Sequence, residues 1–161
     1  MNTTFTVLNE LMVDIFNDVL AIEHTALQTG SFSDISVTEI HTIEAIGMYR
    51  TRTMSEVSST LGITIGTLSV AINNLVKKGY VERNRTDIDR RVVNIGLTKR
   101  GKLAFRIHEK FHSDMIKATI KGLTDEQNGI LVKSLAQLND FFKINYNSVG
   151  GKKKEKINER S

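Results

Sequence analysis

The run Thr53-Met54-Ser55-Glu56-Val57-Ser58-Ser59-Thr60-Leu61-Gly62-Ile63-Thr64, with the stretch behind it from Ile65 to Gly79, decides the architecture. Thr53 and Glu56 form a capping box, in which hydroxyl and carboxylate each satisfy an amide that a first helical turn leaves unpaired. The box opens a short helix with Val57 and Leu61 inward. Leu61-Gly62-Ile63-Thr64 reads as a tight turn, and Thr64 caps a second helix that runs to Lys78 and ends at Gly79. Two helices joined through a short glycine-containing turn make a helix-turn-helix. On the second helix Leu68, Ile72, Leu75 and Val76 share one face and belong to a core. The other face presents Gly66, Thr67, Ser69, Val70, Asn73, Asn74 and Lys77, which are mostly short, polar and rich in donors and acceptors.

Outward from this pair the pattern stays regular. Tyr80 to Arg85 and Val92 to Leu97 are β-prone runs around the polar segment 86–91, so they predict a hairpin whose tip carries Arg90 and Arg91. Upstream, Ser36-Val37-Thr38-Glu39 is a second capping box, followed by Ile40, Ile43 and Ile46 as a buried stripe before Gly47. From Phe5 to about Gln28 the residues Leu8, Leu11, Met12, Ile15, Val19 and Ile22 recur at helical spacing, and Gly30 ends that helix. Downstream, Thr98 caps a long helix with Leu103, Ile107, Phe111 and Met115 on one face. Thr124-Asp125-Glu126-Gln127 boxes a last one with Leu131, Leu135, Leu138 and Phe142. Residues 148–161 read as a disordered basic tail behind a single domain over residues 1–147. The fold class is therefore mainly α with a small β-wing.

Composition narrows the chemistry. The chain has 161 residues, 40% of them apolar, enough for an ordinary core. No stretch approaches the roughly 18 apolar residues of a membrane span, and the amino terminus lacks a secretion signal, so the expected location is cytoplasmic with no membrane partner. With no cysteine, disulfides and thiol sensing are excluded, and any metal site must use His, Asp and Glu. The net charge of +4 is unevenly placed: residues 1–63 carry two basic and eight acidic side chains, residues 64–102 nine basic and three acidic. A basic segment beside an acidic one suits a nucleic-acid reading head attached to a part that does not touch DNA. On charge alone a solvated face, or a winged helix that binds proteins, fits as well.

The stretch Asp89-Arg90-Arg91-Val92-Val93-Asn94-Ile95-Gly96-Leu97-Thr98-Lys99-Arg100-Gly101, together with residues 55–61 and 75–81, resembles the multiple-antibiotic-resistance regulator (MarR) family from about residue 5 to 146. The resemblance implies a winged helix-turn-helix head over about 36–98 on an intertwined dimerisation scaffold of helices at about 5–29 and 99–146. It implies a DNA-binding regulator and not an enzyme, acting as a homodimer on a palindrome in double-stranded DNA. Thr64, Thr67, Ser69, Val70, Asn73, Asn74 and Lys77 would enter the major groove. Arg91, oriented by Asp89 and assisted by Arg90, would reach the minor groove, where a planar guanidinium suits the focused negative potential. Lys99, with Arg100 and Lys102, would hold phosphates. Ser33 to Ser36, Glu39 to Glu44, Arg90 to Val93 and His108 to His112 are most similar to the bacterial fatty-acid-synthesis repressors. That likeness implies an acyl chain on acyl carrier protein as effector, and no required cofactor.

His108-Glu109-Lys110-Phe111-His112 also matches the zincin pattern, in which two histidines bind zinc and the glutamate activates water. A zincin needs a third ligand, usually downstream, and no histidine follows His112. Zinc-responsive members of the MarR family offer another reading, because Glu23, His41, His108 and His112 match their regulatory ligands. His24 competes with Glu23 for that role. Plain packing histidines and a pH-sensitive switch stand beside the metal site as readings of the same residues.

Overall fold

The computed structural model describes residues 3–85 and 93–158. The chain divides into two units, Met1–His112 and Ser113–Ser161. In chain order the elements are α1 (Thr3–Thr29), α2 (Val37–Ile46), β1 (Arg52–Thr53), α3 (Met54–Leu61), α4 (Ile65–Lys77), β2 (Val81–Arg85), β3 (Val93–Leu97), α5 (Lys99–Ile120) and α6 (Asp125–Asn158). No single helix among the described residues is long and apolar enough to cross a membrane.

The helix starts follow from hydroxyl caps. Ser36 Oγ accepts from the Glu39 amide at 3.2 Å while Glu39 Oε2 accepts from the Ser36 amide at 2.9 Å. Thr53 and Glu56 repeat the exchange at 3.2 and 2.7 Å. Thr64 accepts from the Thr67 amide, Thr98 from the Gly101 amide, and Thr124 exchanges bonds with Gln127. At the end of α3 the chain must reverse handedness. Gly62 does so at φ +65°, its amide donating to Ser59 and that of Ile63 to Ser58, so the last carbonyls of the helix are satisfied. That turn sets α3 and α4 at 107° to each other, within the range of a helix-turn-helix.

The first unit's core is apolar and contiguous. Ile35, Ile40, Ile43, Ile46, Val57, Leu68, Ile72 and Leu75 are nearly or fully inaccessible, and Ile95 of β3 joins them from the sheet. The sheet has three antiparallel strands in the order β1-β3-β2, with Arg52 opposite Ile95 and Arg83 opposite Ile95 on the other side. Gly101 makes the head compact against α5: a Cβ there would stand 2.1 Å from the Tyr80 carbonyl oxygen, so a larger residue must displace the helix.

On α5 the buried face is Gly101, Ala104 and His108, while the apolar stripe that includes Leu103 and Ile107 is about half exposed. Their periodicity marks an apolar face without saying what covers it. Two features differ from the expectations. The helical backbone of α6 continues to Asn158, past the boundary at Asn147. Lysine and glutamate extend a helix readily once it is nucleated, and the chain has no proline to stop it. The strand β1 was not anticipated at all. The wing tip, with Asp89, Arg90 and Arg91, lies outside the described residues.

One polar knot joins three segments of the first unit. Tyr80 is fully buried and its hydroxyl donates to Asp34 Oδ1 at 2.6 Å. The Arg100 guanidinium reaches both Asp34 oxygens at 3.2 and 3.3 Å, donates to the Lys78 carbonyl at 2.8 Å and lies 4.3 Å over the Tyr80 ring. The Tyr80 hydroxyl is the largest influence on the Asp34 carboxyl, and with Arg100 it holds that group below its ordinary value against the opposing effect of burial. Burial, reinforced by Asp34, pushes the Tyr80 phenol up. Because the folded Asp34 binds its proton less readily than the unfolded chain, its contribution is complete above the unfolded value of 3.8 and fades as pH falls through that value toward the folded one. Tyr80→Phe should cost about 1–2 kcal/mol in urea unfolding at neutral pH, the lower part of the range for bonds to charged groups because Asp34 keeps water contact. The deficit should shrink below the unfolded Asp34 value. A deficit independent of pH would remove Asp34 as the relevant partner.

Candidate functional site

The two faces of α4 differ as the pattern requires. Leu68, Ile72 and Leu75 are fully buried, and Thr64, Thr67, Val70, Asn73, Asn74 and Lys77 are exposed, with Ser69 half-buried. Val70 is 62% exposed, which places an apolar side chain on solvent with no partner in the described residues to cover it. The hydroxyls of Thr64 and Thr67 pair at 3.0 Å, and Ser69 donates back to the Ile65 carbonyl at 2.8 Å. These hydroxyls are therefore engaged in shaping the first turns of the helix. Asn73 is held from the sheet: Arg83 Nη2 donates to its Oδ1 at 2.7 Å, which leaves the amide NH2 to point outward.

Arg83 escaped sequence reading because only the folded chain brings β2 beside α4. Lys99 is exposed at the first turn of α5, as is Lys102. Arg100 bonds Asp34 and the Lys78 carbonyl and lies over the Tyr80 ring, which braces the head, and its side chain stays 47% exposed. Lys78, next to the exposed Lys77, is likewise engaged, with Nζ 2.7 Å from Glu39 Oε2. Burial alone would raise the Glu39 carboxyl, but the bond from Lys78 and the Ser36 amide outweigh it and hold the group below its usual value.

A second constellation lies between α1, α2 and α5. Glu23 is 4% exposed and faces three imidazoles: Oε1 stands 3.1 Å from His108 Nε2 and 3.4 Å from His112 Nε2, and Oε2 stands 3.4 Å from His41 Nε2. His24 points to solvent, so Glu23 takes the inward position for which the two competed. All four residues singled out from the sequence converge, and Glu44 joins them with Oε2 3.8 Å from His108 Nδ1. Only the His108–Glu23 pair has the geometry of a hydrogen bond; His108 Nδ1 and His112 Nε2 are buried without a hydrogen-bond partner among the described residues. Burial drives the His108 imidazole below its ordinary value, against the opposing pull of Glu23.

The residue types are ones that zinc takes. Tetrahedral ligands about 2.0–2.1 Å from an ion stand about 3.3 Å from one another, and imidazole with carboxylate is a common set. The three Glu23–imidazole distances, 3.1, 3.4 and 3.4 Å, are of that size, and the candidate donor atoms fall into two groups, Glu23 with His41 and His108, and Glu44 with His108 and His112. Glu109, the base a zincin would need, is exposed and is not among the converging groups.

Glu23 and His108 also line a cavity of about 260 Å³, whose other walls are mainly apolar: Leu27, Phe32, Ile40, Ala104 and Phe111. A wider groove of about 700 Å³ lies between α2 and α4, lined by His41 and Thr42 on one side and Thr67, Val70 and Asn74 on the other. His41 thus contributes to both the cluster and the groove beside α4.

Comparison with known proteins agrees with this architecture. A family model described as MarR family matches residues 33–92. The crystal structure of FabT from Streptococcus pneumoniae in complex with DNA is similar with a TM-score of 0.78 and 42% identity, over 86% of this chain and 97% of that one. The HTH-type transcriptional regulator YfiV of Bacillus subtilis is 26% identical over 65% of this chain and 66% of its own length. The HTH-type transcriptional repressor YetL of the same species is 27% identical over 52% of this chain and 50% of its own. The matched region thus spans between half and about two thirds of those two curated relatives. From the matched helix-turn-helix, the three-stranded sheet and a 42% identity that runs through nearly the whole of a relative, this chain belongs to the MarR family of transcriptional regulators.

Proposed function

We propose that this protein is a sequence-specific repressor that binds double-stranded DNA as a homodimer on a palindromic operator. The observation that carries the reading is the 42% identity, over 97% of its length, to a protein solved on DNA. The exposed polar face of α4 supplies side chains suited to base edges, since an Asn amide can bond bidentately to adenine and a Thr methyl can touch thymine. Lys77, Lys99 and Lys102 stand exposed around it for phosphates. A second copy would cover the apolar faces left open within each unit: Phe5, Leu8, Ile15, Leu103 and Ile107 in the first, Ile130, Val132, Leu135 and Phe141 in the second, all half exposed or more. Two heads related by a two-fold axis would read half-sites about 34–36 Å apart.

The target genes follow from the resemblance to the fatty-acid-synthesis repressors. The effector is then an acyl chain delivered on acyl carrier protein, and the apolar cavity beside Glu23 is the place in this chain that suits it. Arg91→Ala should weaken operator binding by ~1–3 kcal/mol in an anisotropy titration and leave the dimer intact in sedimentation. In the same assay the logarithm of affinity should fall with the logarithm of salt by about 0.9 per phosphate neutralised. Unchanged affinity on losing Arg91 would refute the wing assignment, and a flat salt response would point to a protein partner.

A second reading is favoured by the geometry of the Glu23 cluster: a zinc-responsive repressor of metal-uptake genes. Glu23, His41, His108 and His112 would hold the ion, and its chemistry would be that of a structural tie between α1, α2 and α5, not of hydrolysis. Zinc titrated against a chromophoric chelator should be taken up by the purified protein and raise its thermal midpoint. His108→Gln should abolish both effects, and a wild-type protein indifferent to zinc would end this reading.

A further inference from the structure

The cluster contains two donor sets that share His108, and their carboxylates differ in access to solvent. The inner set is Glu23, His41 and His108; the outer is Glu44, His108 and His112, and within each the candidate donor atoms lie within 4.8 Å of one another. The Glu23 side chain is 3% exposed and that of His108 7%, while His41 of the inner set is 41% exposed. The Glu44 side chain is 51% exposed and that of His112 31%. The two edges of the His108 ring serve different sides: Nε2 faces Glu23 at 3.1 Å, while Nδ1, buried and without a hydrogen-bond partner among the described residues, faces Glu44 at 3.8 Å.

We infer that Glu44, His112 and the Nδ1 edge of His108 form an outer capture site for a divalent cation, from which the ion passes to Glu23, with Glu44 setting the rate of uptake more than the final affinity. This rests on the metal-responsive reading above. Besides the shared His108, His112 also bridges the stages, since its Nε2 lies 3.4 Å from Glu23 Oε1. It can keep hold of an ion while Glu44 is exchanged for Glu23. A negative charge at the mouth of a narrow site raises the local cation concentration and hence the association rate, and salt screens that attraction. The inner carboxylate is shielded from salt by its burial, so it governs how tightly the ion is kept. The outer position also explains why an exposed glutamate stands opposite a buried ring nitrogen that otherwise has no bonding partner.

Stopped-flow mixing of zinc with the chelator-treated wild-type protein, Glu44→Gln and Glu23→Gln separates the stages. Wild type should bind zinc with an association rate that falls as ionic strength rises. Glu44→Gln should lower that rate several-fold and flatten its salt dependence, with the equilibrium dissociation constant changed by no more than a small factor. Glu23→Gln should weaken the final affinity by at least tenfold. Glu44 is exposed, so its replacement by glutamine spares the fold, and circular dichroism checks this. An unaltered association rate in Glu44→Gln overturns the inference while leaving the metal reading intact. So does a loss of affinity carried by faster dissociation, which would make Glu44 a ligand of the final site. A wild-type protein that takes up no zinc overturns both.

Discussion

The helix α4 is held from one side only, and the rest of the molecule is arranged around that constraint. Leu68, Ile72 and Leu75 are fully inaccessible in the core of the first unit. Three such side chains contribute roughly 1.5–3 kcal/mol each when buried, and rotating the helix to hide its polar face would forfeit that sum and strand the amides of Asn73 and Asn74 without water. The outward presentation of the polar residues is therefore a consequence of core packing. Around this helix the other elements act as braces. Gly62 sets the angle to α3, Arg83 steadies Asn73 from the sheet, Lys78 fastens the end of the helix to Glu39 of α2, and Arg100 ties the following carbonyl to Asp34.

The same α2 that receives Lys78 also carries His41 and Glu44 into the Glu23 cluster. A buried carboxylate is tolerated only with partners, and Glu23 finds them on two other helices. Any ligand that changes the spacing of those partners acts on α2 directly, and through Glu39 on the end of α4. The apolar cavity bounded by Glu23 and His108 opens onto the same junction. The cluster and the cavity therefore bear on one structural element, whichever chemistry operates it.

Much of this was legible from residues alone. The capping boxes at Ser36, Thr53 and Thr124 and the turn at Gly62 are local, so spacing reveals them before any fold is known. The split between the two faces of α4 follows from helical periodicity. What escaped depends on distance in space. The strand β1 has two residues, too few for an alternating pattern, and exists because β3 offers a free edge. The knot of Asp34, Tyr80 and Arg100 joins residues 46 and 66 positions apart, so the bracing role of Arg100 has no signature in local spacing. The inward position of Glu23 and its meeting with three histidines came from resemblance; no spacing rule links residue 23 to residue 108. The backbone of α6 beyond Asn147 was underestimated because composition signals charge there more strongly than it signals helix.

The most direct test of the account is selection of binding sites from sheared genomic DNA of the source organism by the purified protein, with the retained fragments sequenced. The account predicts enrichment of a palindrome whose half-sites lie about one helical turn apart and whose recovery falls steeply with added salt. Recovery of fragments with no shared sequence, or none above a control without protein at low salt, would contradict it.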